Sequence, residues 1–135
     1  MNKDLTELLW NSFPRLYRGR FLSIQESLIP FGFDCGDGWF QIIWDLSVEL
    51  DKLGCQATQV KEKYGGLRFY YGNPPNVSYT ITDKLVTEAE KKAAVTCEIT
   101  GKPGRLVSHH GWYMVRCQEE IDKLDEVDEL TIKDQ

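Results

Sequence analysis

The chain lacks most of the features that assign a protein to a class by inspection. Its 135 residues include only 2 His and 2 Met, and no apolar run approaches the roughly 20 residues of a membrane span. The opening segment, Met1-Asn-Lys-Asp-Leu-Thr-Glu, has none of the apolar stretch of a signal peptide. Net positive charge is missing too: 16 Lys+Arg against 21 Asp+Glu give −5, which argues against a general binder of phosphate backbones. Gly36, Gly38, Gly65 and Gly66 belong to no phosphate-binding loop, because neither a Gly-Lys-Ser/Thr nor a strand-to-helix dinucleotide pattern surrounds them. No nucleophile signature flanks Cys97, Cys117, His109 or His110, and no set of acid, base and metal groups can be assembled. The expectation is a cytoplasmic protein without a membrane segment, not an enzyme, forming one domain over residues 1–135. At 41% hydrophobic it can bury a core without disulfide staples.

What charge there is lies unevenly. Residues 118–135 hold eight acids, among them Glu119, Glu120, Asp122, Asp125 and Glu126, against Lys123 and Lys133. Ile121, Leu124, Val127 and Leu130 recur every three residues, which predicts an acidic terminal helix with one docked side. The competing reading is an acidic arm offered to a basic partner.

Periodicity organises the rest. Leu5, Leu8 and Leu9 predict a short helix over 4–13 ended by Pro14, and Phe21, Ile24, Leu28 and Ile29 a brief second helix stopped by Pro30. Trp39, Ile43, Leu46, Leu50 and Leu53 mark the principal helix, with Asp34 or Asp37 as its N-cap and Gly54 closing it. Residues 57–63 and 67–71 read as a hairpin turned by Tyr64-Gly65-Gly66, with Val60 and Phe69 inward. Thr80 and Asp83 resemble a capping box ahead of a helix with Ile81, Leu85, Ala89 and Ala93 on one face. From Cys97 onward, short glycine-punctuated pieces read as a knuckle, a strand, a turn holding the two histidines and a second strand. The fold class expected is α+β: helices on a small antiparallel hairpin sheet over 1–96, a knuckle hairpin over 97–117 and the acidic helix over 118–135.

Cys97-Glu-Ile-Thr-Gly-Lys-Pro-Gly104 looks like a zinc knuckle of the form C-x2-C-G-x-P-G. Taken with Gly38-Trp39, Val60-Lys-Glu-Lys-Tyr-Gly-Gly-Leu-Arg-Phe-Tyr70, Ala89-Glu90 and Gly111-Trp112 leading to Cys117, it resembles a family of small bacteriophage and bacterial proteins over about residues 30–120. The resemblance implies two ligand pairs holding one tetrahedral zinc, as in a zinc ribbon. Here Cys97 and Cys117 stand at the first position of each pair, but Thr100 and Glu120 occupy the second. The resemblance therefore implies a degenerate knuckle without a cofactor, its hairpin held by packing of Ile99, Leu106, Val107, Trp112 and Val115. Zinc would persist only where Glu120 and His109 or His110 complete the set with Cys97 and Cys117. If the knuckles still face each other, a Cys97–Cys117 disulfide is geometrically open, though a cytosol would keep it reduced.

Lys61-Glu62-Lys63 with Arg68 invites comparison with nuclease cores, but the spacing fits charged alternation on an exposed hairpin instead. Tyr64, Phe69, Tyr70 and Tyr71 are candidates for base stacking or for a protein interface, and the interface is the favoured expectation. Tyr64, Arg68 and Tyr70, with Glu119, Glu120, Asp122, Asp125 and Glu126, are the expected partner-binding residues. The phage-type resemblance implies an accessory protein that binds a host protein stoichiometrically, by analogy an anti-CRISPR or other anti-defence inhibitor acting on a nucleic-acid-binding complex. Two alternatives are a zinc-ribbon-derived nucleic-acid-binding accessory factor using Lys102, Arg105, Arg116 and the hairpin aromatics, and an immunity protein against a toxin.

Overall fold

The computed structural model describes residues 1–129, and among them the chain folds as α+β, with four α-helices and two three-stranded sheets. No described helix is long and apolar enough to cross a membrane. Helix α1 (Lys3–Ser12) starts at Asn2, whose side chain accepts from Leu5 N–H at 2.8 Å and satisfies a donor that the first turn leaves free. The stretch that followed was expected to hold a second helix. It forms two 3-10 turns instead, Arg18–Phe21 and Ile29–Phe31. Pro30 lies inside the second turn rather than after a helix, because its missing N–H costs nothing at a first-turn position. Of the four apolar residues that suggested a helix, Ile29 is buried whereas Phe21 and Ile24 are exposed.

Helix α2 (Phe40–Lys52) buries Ile43, Leu46, Ser47 and Leu50, and Gly54 ends it with φ +81°. Its expected acidic cap is absent. A 3-10 turn, Asp37–Trp39, leads into the helix, and the Asp37 carboxylate accepts from Asn2 N (2.7 Å) and Nδ2 (3.0 Å), tying the start of α1 instead. Tyr17 and Ser47 supply the polar link inside the core, their hydroxyls 2.6 Å apart, with Ser47 Oγ also donating to Ile43 O. Burial pushes the Tyr17 phenol well above its usual range, so the hydroxyl stays protonated and hydrogen-bonded.

The first sheet has the order β1–β2–β3, with β1 (Phe33–Asp34) parallel and β3 (Gly66–Gly72) antiparallel to β2 (Gln56–Lys63). Val60 and Phe69 are cross-strand partners and both are buried. Ala57 is buried as well, although three residues from Val60 is the wrong parity for a regular strand; a bulge between Ala57 and Gln59 corrects it. Helix α3 (Tyr79–Ala93) is capped by Ser78, which accepts from Thr80 N, so the cap lies two residues earlier than the Thr80–Asp83 pattern suggested. Asp83 instead takes a hydrogen bond from the Tyr71 hydroxyl. The buried stripe is Thr82, Val86, Ala89 and Ala93, and Ile81 faces solvent. A four-three-four spacing keeps to one face of a 3.6-residue helix, which repeated steps of four do not.

The second sheet has the order β5–β4–β6. Strands β4 (Arg105–His109) and β5 (Trp112–Arg116) form the expected hairpin. The acidic segment departs from expectation. Helix α4 (Gln118–Ile121) lasts one turn, and the chain then extends as β6 (Val127–Glu129), antiparallel to β4 with His109 opposite Val127. Ile121 is buried and Leu124 half-buried, so the three-residue spacing reflects one helical turn followed by a bend and a strand. Leu130, the last member of the expected stripe, lies outside the described residues.

Trp39 joins the two halves of the fold. Its ring is fully buried, and its Nε1–H donates to Thr96 O at 2.9 Å, just before the knuckle. Trp39→Phe keeps most of the apolar burial but leaves that carbonyl without its donor. Chemical denaturation is expected to show a loss of about 2 kcal/mol.

Candidate functional site

Two hairpin tips meet the same face of the molecule, and their turn chemistry explains their shape. Tyr64-Gly65 has φ values of 54° and 83°, and His110-Gly111 has 51° and 82°. Positive φ at both central residues is the type I′ pattern that suits the twist of two tightly linked strands. The glycines adopt it freely, whereas Tyr64 and His110 are held there by the hairpins on either side. Gly65 is also a contact point: a Cβ there would lie 2.6 Å from Leu106 Cδ1, so the first hairpin rests on the second sheet.

Between the tips lies an open cavity of about 700 Å³, lined by Glu62, Lys63 and Tyr64 on one side and His110 to Met114 on the other. Glu98 and Arg116 also line it, 3.3 Å apart and both largely buried. Glu98 has a second task, because its other carboxylate oxygen accepts from Gly36 N at 2.8 Å. The rim is aromatic: Trp112 is 74% exposed, Tyr64 70% and Tyr113 44%. Lys63 Nζ lies 5.5 Å from the centre of the Tyr64 ring, a cation–π contact that helps to hold the ring out from the turn.

At the segment read as a knuckle, Thr100 stands between two sulfurs. Cys97 and Cys117 are buried free thiols, not a disulfide. Burial raises the Cys97 pKa, but hydrogen bonds from the Thr100 side chain and from the backbone of Thr100, Cys117 and Ile99 outweigh it and leave the thiol below its ordinary value. Thr100 N–H points at Cys97 Sγ (3.5 Å), and Thr100 Oγ1–H at Cys117 Sγ (3.4 Å), so threonine links the two sulfurs where the resemblance implies a ligand. Glu120 N–H closes the second turn onto Cys117 O, while its carboxylate pairs with Lys123 at 2.9 Å. His109 is not at this site: it ends β4, at the opposite end of the hairpin from Cys117. The set Cys97, Cys117, His109 and Glu120 is therefore not brought together, because one strand length separates the histidine from the sulfurs. The other two cysteines are buried and apart: Cys55 donates to Asn73 Oδ1, and burial pushes Cys35 up to about 12.

The expected partner-binding residues do not form one patch. Tyr64 stands on the aromatic rim, while Arg68 and Tyr70 lie on the exposed side of β3, opposite the buried Leu67 and Phe69. Tyr70 lines a separate shallow groove with Ile24, Leu28 and Gln59. Arg68 acts on Glu90, whose carboxyl is raised by burial, an effect that Arg68 partly offsets. The acids are largely engaged within the chain: Glu119 with Lys102 at 2.9 Å, Asp122 with Gln118 at 2.7 Å, and Asp125 with both histidines. The bond from Lys102 lowers the Glu119 carboxyl, and those from His109 and His110 lower that of Asp125. Glu126 is exposed at φ 46°.

Trp112 and Ile99 were expected to pack the hairpin but lie 74% and 48% exposed, whereas Val107 and Val115 are buried, one on each face of the hairpin. Trp112 sits at the tip, past the reach of any covering element among the described residues. Tyr113 and Glu98 carry no site signal in the sequence, and Arg116 only that of a cation for nucleic acid, since nothing local announces that strand β5 and the segment around Glu98 flank one cavity. Protein-family models, curated proteins and solved structures gave no match to this chain, so the likeness to the phage and bacterial family rests on the motif blocks alone.

Proposed function

We propose that the chain works by stoichiometric protein binding, with the aromatic rim of the two hairpin tips as its contact surface. The observation that carries this reading is the exposure of Trp112, Tyr64 and Tyr113 around one cavity beside the Glu98–Arg116 pair. Aromatic side chains bury a large area for few lost torsions, and interfaces concentrate their affinity in such anchors. The cations named for the nucleic-acid alternative favour the protein reading too, since Arg116 holds Glu98, Lys102 holds Glu119 and Arg105 bonds Gln118 at 2.7 Å.

The partner class comes from the family resemblance: a host protein, and by analogy a nucleic-acid-binding defence complex whose basic groove would accept Glu119, Glu120, Asp122, Asp125 and Glu126. Immobilised chain is expected to retain a host protein from bacterial lysate. Trp112→Ala should weaken that binding by about 30-fold or more, the effect of losing a hot-spot anchor worth about 2 kcal/mol, with the circular dichroism unchanged. Charge reversal at Glu119 and Glu126 should slow association and reduce its salt dependence. Capture that survives Trp112→Ala unweakened would remove the aromatic rim from the reading. Failure to retain any host protein under any lysate condition would remove the reading itself.

A further inference from the structure

We propose that His109, His110 and Asp125 form a binding site for a divalent transition-metal ion of the zinc class, separate from the knuckle. Consecutive residues of a regular strand point to opposite faces. His109 ends β4, but His110 turns back at φ 51°, and this reversal lays the two imidazoles side by side with ring centres 4.2 Å apart. Both Nε2 atoms then address one oxygen of Asp125, at 2.8 Å from His109 and 3.3 Å from His110. All three ligand atoms lie within 4.8 Å of one another, and no other His, Cys, Asp or Glu group among the described residues meets that criterion.

The distances suit a metal. Ligand atoms held about 2.1 Å from a common ion sit roughly 3 to 4 Å from each other, so the two imidazoles and the carboxylate need only small rotations to enclose one. The donor set is also selective. Two imidazoles favour zinc, nickel, cobalt or copper over magnesium and calcium, which prefer oxygen ligands. On binding, the ion takes the Nε2 lone pairs: a neutral imidazole protonated at Nε2 gives that proton to water and takes one at Nδ1, one already protonated at Nδ1 keeps it, and a charged one releases its Nε2 proton to water and keeps that at Nδ1. Asp125 lies between α4 and β6, so the ion would fasten the acidic segment to the hairpin tip. Three protein ligands leave further positions for water or for a donor from a partner.

The test is calorimetric titration of zinc into the full chain, freed of any histidine tag, followed by cobalt spectra. One ion per chain is expected. Asp125→Asn and His110→Asn should each weaken binding at least about tenfold, as loss of a ligand costs no less than loss of a supporting group. Asparagine tolerates positive φ, so His110→Asn keeps the turn and separates loss of a ligand from loss of the fold. The cobalt complex should show ligand-field bands without the near-ultraviolet thiolate absorption. Three outcomes would overturn the site: no zinc uptake, uptake that His110→Asn leaves unchanged, or cobalt bound with a thiolate band, which would place the ion at Cys97 and Cys117.

Discussion

Replacing Gly38 by alanine is expected to lower the melting temperature by roughly 10 °C, from a loss of about 3 kcal/mol, at the upper end of what overpacking costs. The added methyl would fall within contact distance of the Cys97 carbonyl oxygen and 2.6 Å from Gly101 N, so its obstacles are backbone atoms. A flexible side chain could turn aside, but this peptide plane is fixed by Cys97 N–H to Lys102 O at 2.8 Å and Gly101 N–H to Cys97 O at 2.9 Å. Gly38 N–H also donates to Glu98 O at 2.7 Å, so moving the knuckle away sacrifices that bond as well. The same substitution at Gly72, where a methyl meets nothing within 4 Å, is the control and should leave the transition within about 0.5 kcal/mol of the parent. Equal melting temperatures for the parent and the Gly38 variant would show that the knuckle does not depend on this seat.

The second large effect is a gain. The double substitution Thr100→Cys with Glu120→Cys supplies the two ligands that the resemblance implies beside Cys97 and Cys117. Thr100 already reaches both sulfurs through its N–H and hydroxyl, and Glu120 N–H closes a turn on Cys117. Four thiolates bind zinc with free energies on the order of 10 kcal/mol or more, so the variant should purify with one zinc more than the parent and unfold at a markedly higher temperature, an increment that a chelator removes. Its cobalt form should absorb as a tetrathiolate. A double variant that folds without tight zinc would mean that positions 100 and 120 do not face the two sulfurs, and the comparison with a zinc knuckle would lose its footing.

Local chemistry was legible where it acts alone. Gly54 after a four-three apolar run marks the end of α2, and Tyr64-Gly65-Gly66 between β-formers marks a tight hairpin turn, because both depend on residues close in sequence. Failures occurred where a distant group took over a residue that looked local. Asp37 reads as a helix cap until Asn2 claims it, and Asp83 reads as part of a capping box until Tyr71 does. The acidic segment failed for the same reason at larger scale: an amphipathic period over 121–130 cannot reveal that β4 has an edge waiting for Val127 and Asp128. The candidate site was half legible. Tyr64 was chosen from its turn, but the cavity it borders depends on β5 and the knuckle meeting it across the fold, a pairing absent from any one stretch of sequence.

Strand β6 carries a consequence for how the chain keeps to itself. A sheet edge with free N–H and C=O groups is a template on which other strands add, and β4 would be such an edge without its third strand. The segment that covers it brings Asp128, exposed, to the new outer edge. Repulsion between like charges then opposes the stacking of one molecule's sheet on another's. Asp128, an acid that composition alone would assign to attracting a basic partner, thus charges the new edge against strand addition, while at the opposite edge the Val115 carbonyl of β5 accepts from Glu98 N–H at 3.1 Å, beside the aromatic rim.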